Sequence, residues 1–261
     1  EIDSALFGTI FHLSAQLAYT DLTANRKIIQ KEDLERLLRN EVKLQNYVDL
    51  AFKQELFKVP ADEKPEYNGV QLINSKVIVS YLKQLLRNDL QYAPFEMVAM
   101  EKPVAEKITI QTGQGPITLR LGGTIDRMDA KDTTLRIVDY KTGGSPKTPA
   151  NIEQLFTPSE TRPNYIFQTF LYAAIMRRSL KVAPSLLYIH RAASESYSPV
   201  IEMGEPRQPK IPVNNFAFFE DEFRERLQRL LKEIFDENEP FTQTEDTKKC
   251  AYCDFKAICK R

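Results

Sequence analysis

Residues 122–129, Gly-Gly-Thr-Ile-Asp-Arg-Met-Asp, and residues 135–143, Leu-Arg-Ile-Val-Asp-Tyr-Lys-Thr-Gly, carry charged groups where strands seldom hold them. The second stretch is rich in strand formers and is bounded by Asp132-Thr133 before it and Gly143-Gly144 after it. The pair therefore reads as a β-hairpin. A strand period of two puts Asp139 and Lys141 on one face and Tyr140 on the other. Asp126, on the preceding strand, adds a second carboxylate. Mg²⁺ or Mn²⁺ takes hard oxygen ligands, and a site with a few carboxylates leaves positions for water and a phosphate oxygen. Such a metal polarises a phosphoryl group and helps to generate hydroxide at neutral pH. A lysine beside it would orient the attacking water or balance developing charge, and the carboxylates around Lys141 would keep it charged. The layout suits phosphodiester hydrolysis. Ordinary cross-strand pairing, Asp126 with Arg127 and Asp139 with Lys141, accounts for the same residues as a structural set, so the neighbouring elements decide between the two.

Those elements change character along the chain. Residues 4–20 form an amphipathic pattern with Leu6, Phe7, Ile10, Phe11, Ser14, Leu17 and Ala18 at helical spacing. Gly8 and His12, four apart, share a face. Residues 31–40 and 42–57 read as short helices, and 70–92 as a long one with a break expected in the β-branched run Val77-Ile78-Val79. From 95 the pattern becomes strand-like: 95–104, 105–112, 117–129 and 135–141, a meander. Residues 143–163 form a long, proline-containing loop. A helix follows over 163–180, with Pro163 near its first turn. Gln168 and Tyr172 lie four apart on one face of it. Residues 184–190 and 197–203 read as strands, 206–212 as a proline-broken linker and 215–238 as a charged amphipathic helix.

Gly-Thr-Ile-Asp-Arg followed by Ile-Val-Asp-Tyr-Lys-Thr-Gly resembles the nuclease core of the PD-(D/E)XK superfamily in its RecB/AddB-type branch. Gly8-Thr9-Ile10-Phe11-His12 resembles the upstream helix of that branch, whose His is a metal ligand. Glu101 resembles its additional acidic ligand, with Glu96 as the competing candidate. Gln168-Thr169-Phe170-Leu171-Tyr172 resembles the Gln-x-x-x-Tyr signature that follows the Asp-x-Lys strand and faces the active site and the DNA. These motifs occur in the expected order and span nearly the whole chain. The resemblance implies an α/β restriction-endonuclease-like core, a mixed central sheet flanked by helices, with a helical N-terminal part. Residues 1–94 would form that helical part, 95–212 the nuclease core and 213–261 the C-terminal helix and tail, all in one integrated domain. It implies that Asp126, Asp139 and the Tyr140 backbone carbonyl hold Mg²⁺ or Mn²⁺, with His12 and Glu101 completing the site. Lys141 would be the catalytic lysine, Gln168 and Tyr172 would serve catalysis and DNA contact, and Arg127 would contact a phosphate or brace Asp126. Asp139 stands where the superfamily often has Glu, which keeps the carboxylate.

The three cysteines, Cys250, Cys253 and Cys259, all lie in the last twelve residues. A secreted disulfide framework would spread an even number along the chain. Three clustered thiolates instead suit zinc or an iron–sulfur cluster in a reducing compartment. Their spacing resembles the C-terminal part of the iron–sulfur staple of AddB-type nucleases, whose fourth cysteine precedes the first helix. No cysteine precedes Gly8 and the chain starts at Glu1, so a 4Fe-4S cluster is expected in a longer parent protein and not in this piece. His190 or Asp254 is an alternative fourth ligand.

Net charge is zero and gives no bulk preference for a partner. Residues 141–210 nevertheless hold nine Lys and Arg against five Asp and Glu, an excess that suits an anion-binding face or a solvated surface. No apolar run of about 18 residues reads as a membrane span, no signal peptide is visible, and a cytoplasmic location is expected. No Gly-x-x-x-x-Gly-Lys-Ser/Thr occurs, so ATP-driven unwinding must reside in a helicase domain or subunit. The expected function is that of a metal-dependent DNA exonuclease acting on helicase-unwound single strands in double-strand-break repair and recombination. The alternatives are an inactive nuclease-like DNA scaffold and a zinc-binding interaction module built on the tail.

Overall fold

The computed structural model describes every residue except 1, 64, 178–180, 195, 241, 246, 252 and 261, and the side chain of residue 249. Helix α1 (Ser4–Leu22) starts at Asp3, whose carboxylate accepts the Leu6 N–H at 2.7 Å, satisfying an otherwise orphan helix donor. A short strand β1 (Ile28–Ile29) leads to α2 (Lys31–Leu38) and α3 (Glu41–Phe52), which continues as a π-helical turn over Lys53–Phe57. Helix α4 (Gly69–Tyr92) opens with a capping box between Asn68 and Gln71. It runs unbroken through Val77-Ile78-Val79, because Ile78 and Val79 are buried against the other helices and packing outweighs their modest helix propensity.

Strand β2 (Phe95–Thr112) is one long strand where two were expected, with a bulge between Met97 and Ala99. It pairs antiparallel with β3 (Gly115–Lys131), which pairs antiparallel with β4 (Thr134–Lys141). A short helix α5 (Glu153–Phe156) precedes α6 (Asn164–Met176). Pro163 stands just ahead of α6, and the expected extension of this helix to Leu180 falls outside the described residues from 178 onward. Strand β5 (Lys181–Tyr188) then lies parallel to β4. The helix between them is the crossover that parallel neighbours require. The five strands form one mixed sheet in the order β1-β2-β3-β4-β5. The stretch expected as a strand over 197–203 contributes a single bridge, Val200 to Ser185, and a two-residue strand β6 (Glu202–Met203) paired with β7 (Ile211–Pro212). Helix α7 (Glu220–Ile234) follows a 3₁₀ turn at Phe216–Phe218, and α8 (Thr247–Cys250) lies in the tail. Among the described residues, no helix is long and apolar enough to cross a membrane.

The strand period sorts β4 onto two cores. Val138 and Tyr140 pack with α1, α3 and α4, whereas Ile137 packs with α6, α7 and the 3₁₀ turn. On the α1 side lies a buried ionic set. Arg127 bonds Asp89 at 2.5 Å and Asp129 at 2.7 Å, and Arg136 bonds Asp129 twice at 2.9 Å. The Tyr19 hydroxyl also donates to Asp89. Arg127 is wholly buried, its guanidinium 4.8 Å from the Tyr19 ring centre and 4.7 Å from that of Phe95. Two carboxylates and two guanidiniums balance, as desolvated charges require. Burial opposes ionisation of Asp129, but the two guanidiniums outweigh it and hold its carboxyl below the usual range. Removing the central cation leaves Asp89 and Asp129 short of a partner. Arg127→Met is therefore expected to cost about 3–5 kcal/mol, read as a lower denaturation midpoint in urea.

Candidate active site

The site forms where β3 and β4 part. Main-chain pairing between them stops at Arg127 and Val138. Beyond that pair, the Tyr140 N–H donates to the Asp126 side chain at 2.7 Å instead of to a β3 carbonyl. That bond fixes the carboxylate at the mouth of the fork. On β2 the flanking pairs Met100–Arg127 and Lys102–Ile125 put Glu101 opposite Asp126. Glu101 has φ 46°, a left-handed conformation that a non-glycine residue adopts at a cost of about 1–3 kcal/mol. Strain of this kind gathers where a side chain must be aimed.

Helix α1 supplies the third group. Its buried face, with Phe11 and Tyr19 at its centre, packs on the sheet, and Gly8 brings the helix beside Thr142 at the end of β4. His12 comes with that packing and is held edge-on to the Tyr140 ring, with centroids 5.7 Å apart. Its Nδ1 is 3.5 Å from Glu101 Oε1 and 3.5 Å from Asp126 Oδ1. One ligand atom from each of His12, Glu101 and Asp126 lies within 4.8 Å of the others; among the described residues no further set of metal-donor side chains is so gathered. Glu96 is exposed and paired with Ala130, away from this group, so Glu101 is the acid that joins it.

Asp139 and Lys141 share the face that looks toward α6. Lys141 Nζ lies 2.6 Å from Asp139 Oδ2 and 4.2 Å from the centre of the Tyr165 ring. The approach to Asp139 does not have hydrogen-bond geometry, and the buried oxygens Asp139 Oδ2 and Glu101 Oε1 have no hydrogen-bond partner. Buried carboxylate oxygens without donors are costly, and a divalent cation would satisfy them. The donor set, three carboxylates and one imidazole, fits Mg²⁺ or Mn²⁺.

The electrostatics agree. Burial pushes the Asp126 carboxyl up to about 7, with the Asp139 charge adding to the rise and His12 opposing it. Asp139 is raised chiefly by burial, against the pull of Lys141. Burial disfavours charge on His12, but the adjacent Glu101 carboxylate and the charges of Asp126 and Asp139 outweigh this and raise its pKa. Carboxylates crowded in low dielectric cannot all ionise without a cation.

Two expected contacts take different forms. Arg127 lies wholly buried on the α1 side and is held by Asp89 and Asp129, so it cannot reach a phosphate and does not brace Asp126; a guanidinium this deep needs both carboxylates. Tyr172 is buried too. Its hydroxyl accepts from Gln168 Nε2 at 3.1 Å, and it fills the space above Gly123, where a Cβ would come within 2.5 Å of that hydroxyl. Tyr172, only 5 % exposed, thus seats α6 on β3, while Gln168 remains half-exposed. Tyr165, three residues before Gln168 and so on the same helical face, escaped the motif reading, although it is the ring that Lys141 meets. Tyr140 contributes its N–H and its ring. Cys250, Cys253 and Cys259 are half-buried in a turn-rich tail and form no grouped donor set among the described residues.

A family model of the PD-(D/E)XK nuclease superfamily matches residues 1–260. The mixed sheet, the Asp126, Asp139 and Lys141 constellation and this match define the class: the chain belongs to the PD-(D/E)XK nuclease superfamily. No curated protein sequence matches the chain.

Asp126 keeps its proton to about pH 7 when folded, whereas an unfolded Asp ionises near ~3.9. Between those values the folded state binds the extra proton, so stability falls as pH rises. The raised His12 acts in the same direction, its contribution being lost as pH climbs through its folded pKa. A bound cation needs Asp126 ionised and His12 neutral. The rise in melting temperature on adding Mn²⁺ is therefore expected to be small at pH 5 and to grow through about pH 7. Asp126→Asn should flatten that dependence in a thermal-shift titration.

Proposed function

We propose that this chain is a metal-dependent DNA nuclease domain of the RecB/AddB-type branch, an exonuclease that hydrolyses phosphodiester bonds. The carrying observation is the convergence of His12, Glu101 and Asp126 beside Asp139 and Lys141 at the fork between β3 and β4. His12, Glu101, Asp126, Asp139 and the Tyr140 carbonyl would hold Mg²⁺ or Mn²⁺. When bound, that cation supplies Lewis-acid polarisation of the phosphate and a lower pKa for water.

The chain's own groups do the rest. Lys141 carries a donor charge to the edge of the site, steadied by Asp139 and the Tyr165 ring. From there it donates to the attacking water or to a non-bridging phosphate oxygen as negative charge builds. Asp126 is locked by the Tyr140 N–H and does not have to reorganise during the reaction. Water's oxygen bonds to phosphorus, the bond to the departing ester oxygen breaks, and that oxygen takes up a proton. Gln168, half-exposed on α6, is assigned to DNA positioning, with Tyr172, which it hydrogen-bonds, acting through the helix seat.

The substrate in this reading is single-stranded DNA delivered by a helicase domain or subunit in cytoplasmic double-strand-break repair and recombination. The cysteine tail would join a fourth cysteine in a longer parent to hold a 4Fe-4S cluster, with a structural role. Its support is the three-cysteine spacing; iron against zinc in the full-length protein tests it.

Lys141→Ala is expected to lower cleavage of labelled single-stranded DNA in Mg²⁺ or Mn²⁺ by about 10²–10³-fold, the loss usual for one electrostatic donor, with folding intact by circular dichroism. Wild-type cleavage no better than that of Lys141→Ala would remove the enzyme reading and leave a non-cutting DNA module.

A further inference from the structure

The β2–β3 hairpin is much longer than the sheet it belongs to. β4 pairs with β3 only over Arg127–Lys131, so residues 115–126 of β3 and their partners on β2 project as a two-stranded arm. One face of the arm is covered. Val104, Ile108, Leu119 and Leu121 pack into the α6 and α7 core, and Glu106 pairs with Arg224 of α7 at 3.1 Å. The other face is exposed and built from Ala105, Lys107, Thr109, Thr118, Arg120 and Gly122. The 3.0 Å contact between the Thr109 and Thr118 hydroxyls shows these residues side by side on that face.

Two properties of the face point to an occupant. Lys107 and Arg120 are direct cross-strand partners, and no ion pair reaches either among the described residues. Like charges directly opposite each other destabilise a strand pair. No acid stands on the exposed face to offset them, whereas the covered face keeps its Glu106 paired. The second property is continuity. Arg120 and Asp126 stand six residues apart on β3, and Lys107 and Glu101 six apart on β2, about 20 Å of strand in each case. The two cations and the two metal-binding carboxylates thus lie on the same pair of strands. Small residues between them leave the surface low.

We propose that the exposed face of the β2–β3 arm is the track on which the nucleic-acid strand lies, with Lys107 and Arg120 gripping the phosphate backbone a few nucleotides from the scissile bond. This rests on the nuclease reading for the identity of the strand. The cations hold the polyanion at a distance from the carboxylates that would otherwise repel it. An arm stiffened by α7 keeps the spacing between grip and site constant. Because both groups contact phosphate, the grip carries no base preference.

Binding measured without cleavage separates this inference from the catalytic one. A fluorescent oligothymidylate of about 20 nucleotides is titrated with the protein in EDTA, with fluorescence anisotropy followed at several salt concentrations. Lys107→Ala/Arg120→Ala is expected to weaken binding on the order of tenfold at low salt and to flatten the slope of log K against log salt by about 1.4, two phosphate contacts on single strands. Lys107→Arg should retain the wild-type slope. Melting temperatures should be unchanged or slightly raised in the double variant, since a like-charge pair is removed. Equal binding by wild type and double variant overturns the track and leaves the cationic pair for an acidic protein partner. Failure of the wild type to bind the strand at all also overturns it. Wild-type binding without cutting would instead count against the nuclease reading alone.

Discussion

The site depends on one hydrogen bond, from the Tyr140 N–H to the Asp126 carboxylate. A buried amide needs a partner. Where β3 and β4 stay paired, strand carbonyls provide it; past Val138 they do not. Asp126 fills the vacancy with a side chain, and this has two effects at once. It satisfies the backbone while the strands spread, and it fixes a carboxylate at the opening so created. His12 enters from the helical side, and Asp139 and Lys141 look toward α6. Without the separation of the strands, groups on opposite sides of a sheet could not meet. The site is therefore a product of the way the sheet ends.

The two layers around the sheet divide the work. On the α1 side, the neutral set of Asp89, Arg127, Asp129 and Arg136 locks β3 and β4 to α4 just below the fork. Its two guanidiniums and two carboxylates offset one another in charge, with Asp89 Oδ1 and Arg127 Nη2 left without a hydrogen-bond partner. On the α6 side, the charges are left partly uncompensated, with a raised Asp126, a raised Asp139 and carboxylate oxygens lacking donors. Balanced charge makes a foundation, and unbalanced charge makes an appetite for a cation. The same sequence stretch, Asp126-Arg127-Met128-Asp129, feeds both because alternate residues go to opposite faces.

Much of this is legible in the chain itself. Hydrophobic period marked α1, α4, α6 and the strands, and the chemical oddity of Asp and Lys in strands marked Asp126, Asp139 and Lys141. The choice of Glu101 over Glu96 followed from resemblance, and the register now gives its reason. Other features were hidden. Arg127 sits in a motif beside a catalytic Asp, and nothing in its spacing tells that it turns inward to Asp89, thirty-eight residues earlier. Tyr172 looked like a contact residue because it shares a helix face with Gln168; its burial depends on Gly123 in a different strand. Val77-Ile78-Val79 suggested a break because propensity is local, whereas the packing that keeps α4 whole is not. The merging of two expected strands into one β2 has the same origin, since the pairing with β3 runs without a shift through Val104 and Ala105, where the boundary was expected.

Glu101 shows what the chain gives up to hold its site. Its backbone occupies a region that suits glycine and strains any other residue, and its carboxylate is left short of donors. Position 101 is thus poor for folding on both counts. A library of variants selected only for resistance to heat or protease would drift toward glycine there, shedding backbone strain and a stranded charge together. The same library selected on DNA cutting would keep the acid and recover stability elsewhere. Comparing residue frequencies at 101 under the two regimes would separate what the fold wants from what the chemistry demands.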